Sequence, residues 1–513
     1  MVKLTNNWII VDDENLYLPL KIALTKPQPP KTIKLKNGKK ITKTFPDFNY
    51  FEEYDNNVLY IPIGMLSFLS EYFQNTDIID ERIDNSWISD SMSIEEISNI
   101  LCGIKLRGEQ AVAVRKALSA KRGILQLPTG SGKTEVMCAI VECIKKSTGE
   151  YPTVLILEPT IYLVNSTVKR FKTYYIPAQS YTETREISLH TVNICHPSAL
   201  GNDIEKNPDL LNQIQILIGD ESHHLCADQF RKPIYSMNNL SMSIGVSASV
   251  ITQQHVNAKR IQDYDIKEAL TIGATGPLLM NVVTSSMVDN NLLATPILFT
   301  LKHLANEPLP KNDVTNWNNV KKIQLESDRR NELIVQSANV FSKYDRKSLI
   351  LVNTIRWARL LLEKFYEIGL GDIVGASYGG GKFEYFDGNN FIRDDNISTD
   401  FANGNKKILI GTTHLYEGAD IPNLDTIILA FGGKGERTQI QGIGRALRLT
   451  KTGKYAYIVD FTDDLSPVLS SHFRSRLKRY KDIIGIPADR IYYNCSIEKL
   501  ENEFINLENI EQK

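Results

Sequence analysis

From about residue 100 onward, short and almost wholly apolar runs alternate with longer amphipathic stretches. The first runs predict strands over Gly123–Gln126, Val154–Leu157, Thr191–Ile194, Ile214–Ile218 and Met242–Val246. A second series follows a stretch rich in Pro and Asn at 306–319. It predicts strands over Ser348–Val352, Ile373–Gly375, Lys407–Ile410, Thr426–Ala430 and Tyr455–Val459. Apolar strands separated by helices mark parallel sheets covered on both faces. The chain therefore reads as α/β, with two tandem parallel-sheet domains at 96–305 and 306–475 and a charged helical tail at 476–513. No repeat with a period of about 20–50 residues is visible, which argues against a solenoid.

Residues 1–95 follow a different pattern and read as a small β-containing accessory domain. Eight lysines and no acid lie between Lys21 and Lys43, whereas twelve acids and one base, Arg82, lie between Thr44 and Ile100. Within the basic stretch, two alternating runs flank Asn37-Gly38, a pair that predicts a two-residue hairpin turn. Lys34, Lys36, Lys39 and Lys40 on this ribbon are candidates for gripping a phosphate backbone; a solvated charged face is the competing reading.

Composition narrows the classes. A chain of 513 residues is too long for a single core. Its 59 Lys+Arg against 60 Asp+Glu exclude a protein held to nucleic acid by bulk charge, though not a local basic track. Hydrophobic residues at 42% and charged residues at 23% describe a folded globular chain rather than a disordered one. No apolar run approaches the roughly 18–20 residues of a membrane helix, and Met1–Asn7 carries no signal-like apolar stretch. The six cysteines form no CxxC pair, which fits a reducing cytoplasm. A monomer without a membrane partner is expected.

The strand at Gly123–Gln126 leads into Leu127-Pro128-Thr129-Gly130-Ser131-Gly132-Lys133-Thr134 and then a helix over Glu135–Ile144. A strand, a glycine turn and a helix N-terminus make a phosphate cradle, because backbone N–H groups converge there. Thr129, Gly130, Ser131 and Gly132 form the turn, Lys133 reaches the β/γ-phosphates, and the Thr134 hydroxyl is placed to hold Mg²⁺. The strict motif has Gly at 127, where this chain has Leu. The strand at Ile214–Ile218 ends in Gly219-Asp220-Glu221-Ser222-His223, two acids where an α/β sheet binds ligands. Asp220 would hold Mg²⁺ through water and Glu221 would orient and deprotonate the attacking water. His223, His224, Cys226 and Asp228 lie too close together in sequence for the spaced pairs of a zinc site.

The pairing of PTGSGKT with DESH resembles the superfamily 2 (DEAH-like) helicases and translocases, and further signatures follow in order over roughly 100–465. Leu106-Arg107-Gly108-Glu109-Gln110 resembles the LRxxQ element, which implies that Arg107 and Gln110 bind nucleotide, with Gln110 at the adenine edge. Leu157-Glu158-Pro159-Thr160 resembles the first strand-contacting motif and assigns Pro159 and Thr160 to nucleic acid. Ser247-Ala248-Ser249 resembles the SAT coupling motif, with its last hydroxyl on Ser instead of Thr. Asn353, Thr412 and Thr413 fall in strand-contacting motifs of the second domain. Gly418 and Asp420 fall in the fifth motif and are assigned to the nucleotide. Gln441-Gly442-Ile443-Gly444-Arg445-Ala446-Leu447-Arg448 matches the sixth, where Gln441, Arg445 and Arg448 are catalytic. Two arginines three apart share a helix face and suit phosphate oxygens.

The resemblance implies two tandem RecA-like motor domains, ATP and Mg²⁺ as cofactors, and an ATP hydrolase driving a helicase. The small N-terminal domain on a compact motor is similar to phage recombination helicases of the UvsW type. That implies branched or forked DNA as substrate in recombination, repair or replication, with an RNA helicase or a restriction-type duplex translocase as alternatives. Two weaker signals remain. Gly379-Gly380-Gly381-Lys382 is a glycine turn without a strand–loop–helix frame. The aromatic-rich stretch Lys382–Asp395 reads as an inserted hairpin, with base stacking as the competing role.

Overall fold

In the computed structural model, the residues described are 1–28, 31–34, 40–44, 46–54, 57–303, 317–378, 382–412, 424–433, 442–444, 446–449, 454–463 and 466–511. Lys36, Asn37, Gly38, Lys39, Gly379–Gly381, Thr413, Gly418, Asp420, Gln441 and Arg445 lie outside them. The chain separates into two compact units. One comprises Met1–Leu127 and Ser131–Val282, and the other comprises Val283–Lys513 with Pro128–Gly130.

The first unit holds a seven-stranded parallel sheet. Its strands are β1 (Arg122–Gln126), β2 (Val154–Leu157), β3 (Ala178–Ser180), β4 (Val192–Cys195), β5 (Ile216–Asp220), β6 (Met242–Ser247) and β7 (Leu278–Asn281). Their spatial order is β3-β4-β2-β5-β6-β1-β7. The central strands β2, β5 and β6 are buried along their whole length, as near-continuous apolar runs require. Four helices matter for the site: α1 (Gly108–Ala120), α2 (Lys133–Thr148), α3 (Ile161–Thr173) and α4 (Ile266–Thr275). Helix α2 starts two residues earlier and ends four later than the sequence pattern suggests, because Gly132 and Gly149 cap it at either end in the left-handed conformation.

The N-terminal residues form their own five-stranded sheet, in the order 52–54, 58–62, 8–11, 2–4, 78–80. It is not an independently cored domain. Its buried Val2, Ile9, Leu59 and Ile61 belong to one apolar cluster with Ile124 of β1 and Ala269 and Ile272 of α4. Gly64 makes that approach possible, since a Cβ there would sit 2.1 Å from the Ile272 carbonyl oxygen. The lysine ribbon is present as Lys31–Lys34 paired with Lys40–Lys43. Lys34 lies opposite Lys40, and the turn expected at Asn37-Gly38 lies outside the described residues.

In the second unit the strands are β8 (Thr295–His303), β9 (Ser348–Leu351), β10 (Val374–Tyr378), β11 (Lys382–Phe386), β12 (Phe391–Arg393), β13 (Ile408–Gly411), β14 (Thr426–Leu429), β15 (Tyr455–Asp463) and β16 (Ile491–Cys495). They make one sheet in the order β12-β11-β10-β13-β9-β14-β15-β8-β16. Two elements depart from the sequence reading. Thr295–His303, which precedes the expected boundary at 305, pairs with β15 residue by residue and belongs to the second sheet. The tail beyond 476 is not only helical, because β16 adds to the same sheet beside β8. Both strands are recruited by partners remote in sequence, which local periodicity does not report.

The 382–395 insertion is a packed antiparallel hairpin at the sheet edge. Arg359, on helix α5 (Ile355–Glu367), grips Glu384 with two hydrogen bonds of 2.7 and 2.9 Å and lies over the Phe391 ring.

Candidate nucleotide site and strand-contact positions

The sheet order brings four strand ends side by side at the carboxyl edge of the first unit. In the sequence β2, β5, β6, β1 these ends carry Glu158, Asp220-Glu221, Ser247 and the phosphate loop. This is the edge at which open α/β sheets bind ligands.

The loop is shaped by its glycines. Gly130 and Gly132 have φ of +83° and +79°, a region that only glycine enters without strain. A Cβ on Gly132 would also lie 2.2 Å from Gln110 Nε2. Leu127, at the position where the strict motif has glycine, is 2% exposed and extends the ladder through its N–H to Ser247 O at 2.8 Å. Its side chain packs into the apolar core, so the departure leaves the turn itself intact. Lys133 and Thr134 open helix α2, half-buried.

Lys133 Nζ lies 3.3 Å from Glu221 Oε1. Ser247 Oγ donates to Glu221 Oε2 at 2.9 Å, and His223 Nδ1 lies 3.1 Å from Ser247 Oγ and 3.4 Å from Glu221 Oε2. Glu221 holds this position with φ 42° and ψ 51°, a left-handed conformation of a kind concentrated at functional sites. Asp220 Oδ1 accepts the Glu221 N–H at 2.8 Å. Burial pushes the Glu221 carboxyl up, but Lys133, His223 and Ser247 together outweigh it and hold Glu221 well below the usual carboxylate range. Burial, and then Glu221, raises Asp220. One carboxylate is thus kept ionised, while at its neighbour burial and Glu221 outweigh Lys133 and His223. Thr134 and Asp220 are hard oxygen donors, and a buried carboxyl raised by burial and a neighbouring carboxylate fits a divalent cation such as Mg²⁺.

The adenine assignment of Gln110 meets a competing role. Its Oε1 accepts the Arg107 N–H at 2.8 Å, and its Nε2 donates to Ser131 O at 2.9 Å and Gly132 O at 3.3 Å. The Arg107 guanidinium also reaches Ser131 O. Both residues therefore brace the phosphate loop from behind.

The two units repeat one device at the positions expected to contact a strand. Thr160 caps α3 by accepting the Leu163 N–H at 3.2 Å, with φ −142° and ψ 150°. Thr354 caps α5 by accepting the Trp357 N–H at 3.2 Å, with φ −141° and ψ 151°. In cap geometry the counterpart of Thr160 is Thr354, and Asn353 beside it is half-buried. Pro159 is half-buried, and Thr412, 5% exposed, is buried at the end of β13. Arg448 lies at a bend, and its expected partner Arg445 is outside the described residues. The sequence reading missed His223 and Glu158 as members of the site; His223 was visible only as part of DESH.

Of His223, His224, Cys226 and Asp228, the two imidazoles lie tilted with ring centroids 4.2 Å apart, and Cys226 Sγ turns to the His223 carbonyl oxygen at 3.4 Å. Among the described residues, His255, Asp265 and Glu268 form a cluster of metal-ligand type. Its donors already cap α4: Glu268 accepts the Thr252 and Asp265 N–H groups at 2.7 and 2.8 Å and pairs with His255 at 2.5 Å.

Two family models match in tandem: the res subunit of type III restriction enzymes over residues 103–252, and the conserved C-terminal helicase domain over 330–450. The chain is a superfamily 2 helicase. As such it is an ATP-dependent enzyme with two RecA-like sheets, and its phosphate loop and DES sequence lie in the first match. A helicase of the Sulfolobus islandicus filamentous virus is 24% identical over 66% of this chain, an alignment that spans 60% of the viral protein. A DNA 3'-5' translocase of Sulfurisphaera tokodaii is 24% identical over 70% of this chain and 81% of its own length. The ATP-dependent DNA helicase UvsW of phage T4 is 22% identical over 69% of this chain and 68% of its own. Among solved structures, a type I restriction HsdR fragment from Vibrio vulnificus has a TM-score of 0.53 at 16% identity, covering 79% of this chain and 71% of that one. Yeast Dbp5 bound to RNA and ADP BeF3 has a TM-score of 0.52 at 15% identity, covering 80% and 98%. These two likenesses speak to the fold alone. Among the described residues, no helix is long and apolar enough to cross a membrane.

Proposed function

We propose that this helicase uses ATP to unwind or branch-migrate forked and branched DNA, as a monomer acting in recombination, repair or replication. The observation that carries the motor chemistry is the Lys133–Glu221–Ser247 arrangement at the carboxyl edge of the sheet. DNA is favoured by the relatives named a DNA translocase and a DNA helicase, each aligned over about two thirds of this chain.

In this reading Lys133 and the loop N–H groups bind the β/γ-phosphates, and Glu221, held ionised by Lys133, takes the proton of the attacking water. Thr134 and Asp220 would hold Mg²⁺, which supplies positive charge to the phosphate oxygens. The sixth-motif residues Gln441, Arg445 and Arg448 would act in catalysis, and Gly418 and Asp420 would bind the nucleotide. Thr160 and its neighbours, with Asn353, Thr354, Thr412 and Thr413, would track one strand. The ribbon would lie on duplex, where Lys31 opposite Lys43 and Lys34 opposite Lys40 set like charges across the strand pair.

ATPase measurements with single-stranded, duplex, forked and four-way DNA, and matching RNA, test the proposal. Strongest stimulation by forked or four-way DNA is expected. Stimulation by RNA alone overturns the DNA assignment, and equal stimulation by plain duplex favours a translocase that does not separate strands.

A further inference from the structure

Glu158 is 0% exposed at the end of β2, beside the strand that ends in Asp220. Its N–H donates to Cys195 O at 2.9 Å, which fixes the backbone. The carboxyl is held on one side only. Oε1 accepts from Thr167 Oγ1 of α3 at 2.7 Å, whereas Oε2 is buried without a hydrogen-bond partner. A buried carboxyl with an unsatisfied oxygen destabilises a fold, and an apolar side chain of similar size would pack there at less cost. Such a group points to a role outside stability.

Its surroundings indicate which role. Burial raises the Glu158 carboxyl well above the usual range; Asp220 is the strongest charged neighbour acting in the same direction, with Glu221 adding and Lys133 opposing. The group thus stands beside Asp220 at the adjoining strand end, while its Oε1 is bonded to α3. That helix begins at Thr160, the candidate strand contact.

We infer that Glu158 is a positioning residue that couples the Asp220–Glu221 centre to helix α3, so that nucleic acid at the start of α3 is felt at the nucleotide site. The inference rests on the reading of the chain as a motor stimulated by nucleic acid. Glu158 stands next to Asp220 at neighbouring strand ends, and its Thr167 bond ties the same carboxyl to α3, so a change in charge at Asp220 would reach α3 within a single unit.

The test uses the full chain with Glu158→Val, Glu158→Gln and Thr167→Val. Each is read by the ratio of ATP turnover with and without saturating single-stranded DNA, and by melting temperature. Glu158→Val and Thr167→Val should lower the ratio about 2- to 30-fold, the range such couplings span. Glu158→Val should melt no lower than wild type, and Glu158→Gln, which keeps an acceptor for Thr167, should retain most of the ratio. A wild-type ratio in Glu158→Val, or in Thr167→Val should the first variant fail to fold, overturns the inference. So does a melting temperature that falls in step with the ratio in both Glu158 variants. If wild type itself responds to no nucleic acid, the proposed function fails instead.

Discussion

Lys133 Nζ and Glu221 Oε1 lie 3.3 Å apart, in an ion pair whose side chains are each 13% exposed. The cation proposed to reach the nucleotide is therefore also the main charge keeping Glu221 ionised against burial. In the proposed function, phosphate binding and water activation would be tied through one ammonium group.

Lys133→Ala should consequently remove both functions. Turnover is expected to fall at least about 100-fold, the scale of losing one fixed electrostatic contact in a buried site. Circular dichroism and melting should stay close to wild type, since the side chain contributes little to the core. Turnover within tenfold of wild type at saturating ATP would count against the assignment.

Glu221→Gln keeps the shape of the side chain and leaves Asp220 in place. ATP binding should persist while hydrolysis drops by about 10²–10⁴, the usual contribution of a general base. Equilibrium binding of a fluorescent ATP analogue separates the outcomes, because lost binding would indicate that Glu221 builds the site rather than acting in it.

Ser247→Ala removes the hydroxyl that Glu221 Oε2 accepts and that His223 also approaches. Hydrogen bonds to charged groups contribute about 1.5–3 kcal/mol, so turnover should fall tenfold or more. Ser247→Thr restores the hydroxyl and should recover most of the loss. Equal defects in the two variants would show that packing, not the hydrogen bond, is what matters.

Gln110→Ala tests a point on which sequence and structure give different emphasis. The amide is committed to the backbone of Arg107, Ser131 and Gly132. Its loss should therefore lower kcat/KM for ATP and GTP alike, through a loosened loop. A change of tenfold or more in the ATP-to-GTP ratio would instead restore the role at the adenine edge.

Reversing Lys34, Lys36, Lys39 and Lys40 to Glu should weaken binding to forked DNA and flatten its salt dependence, each lost phosphate contact reducing the slope by about 0.9. ATPase stimulated by short single strands should barely change. A parallel loss in both assays would place the ribbon on the track of the motor, and no change in either would make it a solvated face.

What the sequence determined by itself is local. Gly130 and Gly132 encode a turn that no other residue adopts cheaply, a strand precedes it and a helix follows it, and this triplet is sufficient for a phosphate cradle. Asp220-Glu221 after an apolar strand was legible for the same reason, as were most of the parallel strands. What tertiary structure alone decided is which strand ends are neighbours. The order β2-β5-β6-β1 sets Ser247 beside Glu221 and Glu158 beside Asp220, although they stand far apart along the chain. It also draws Thr295–His303 and Ile491–Cys495 into the second sheet, and the shared core ties the N-terminal sheet to the first. Periodicity reports whether a strand is buried. The identity of its partner follows from hydrogen bonding and side-chain packing between remote segments, which leave no mark on the spacing of residues within either one.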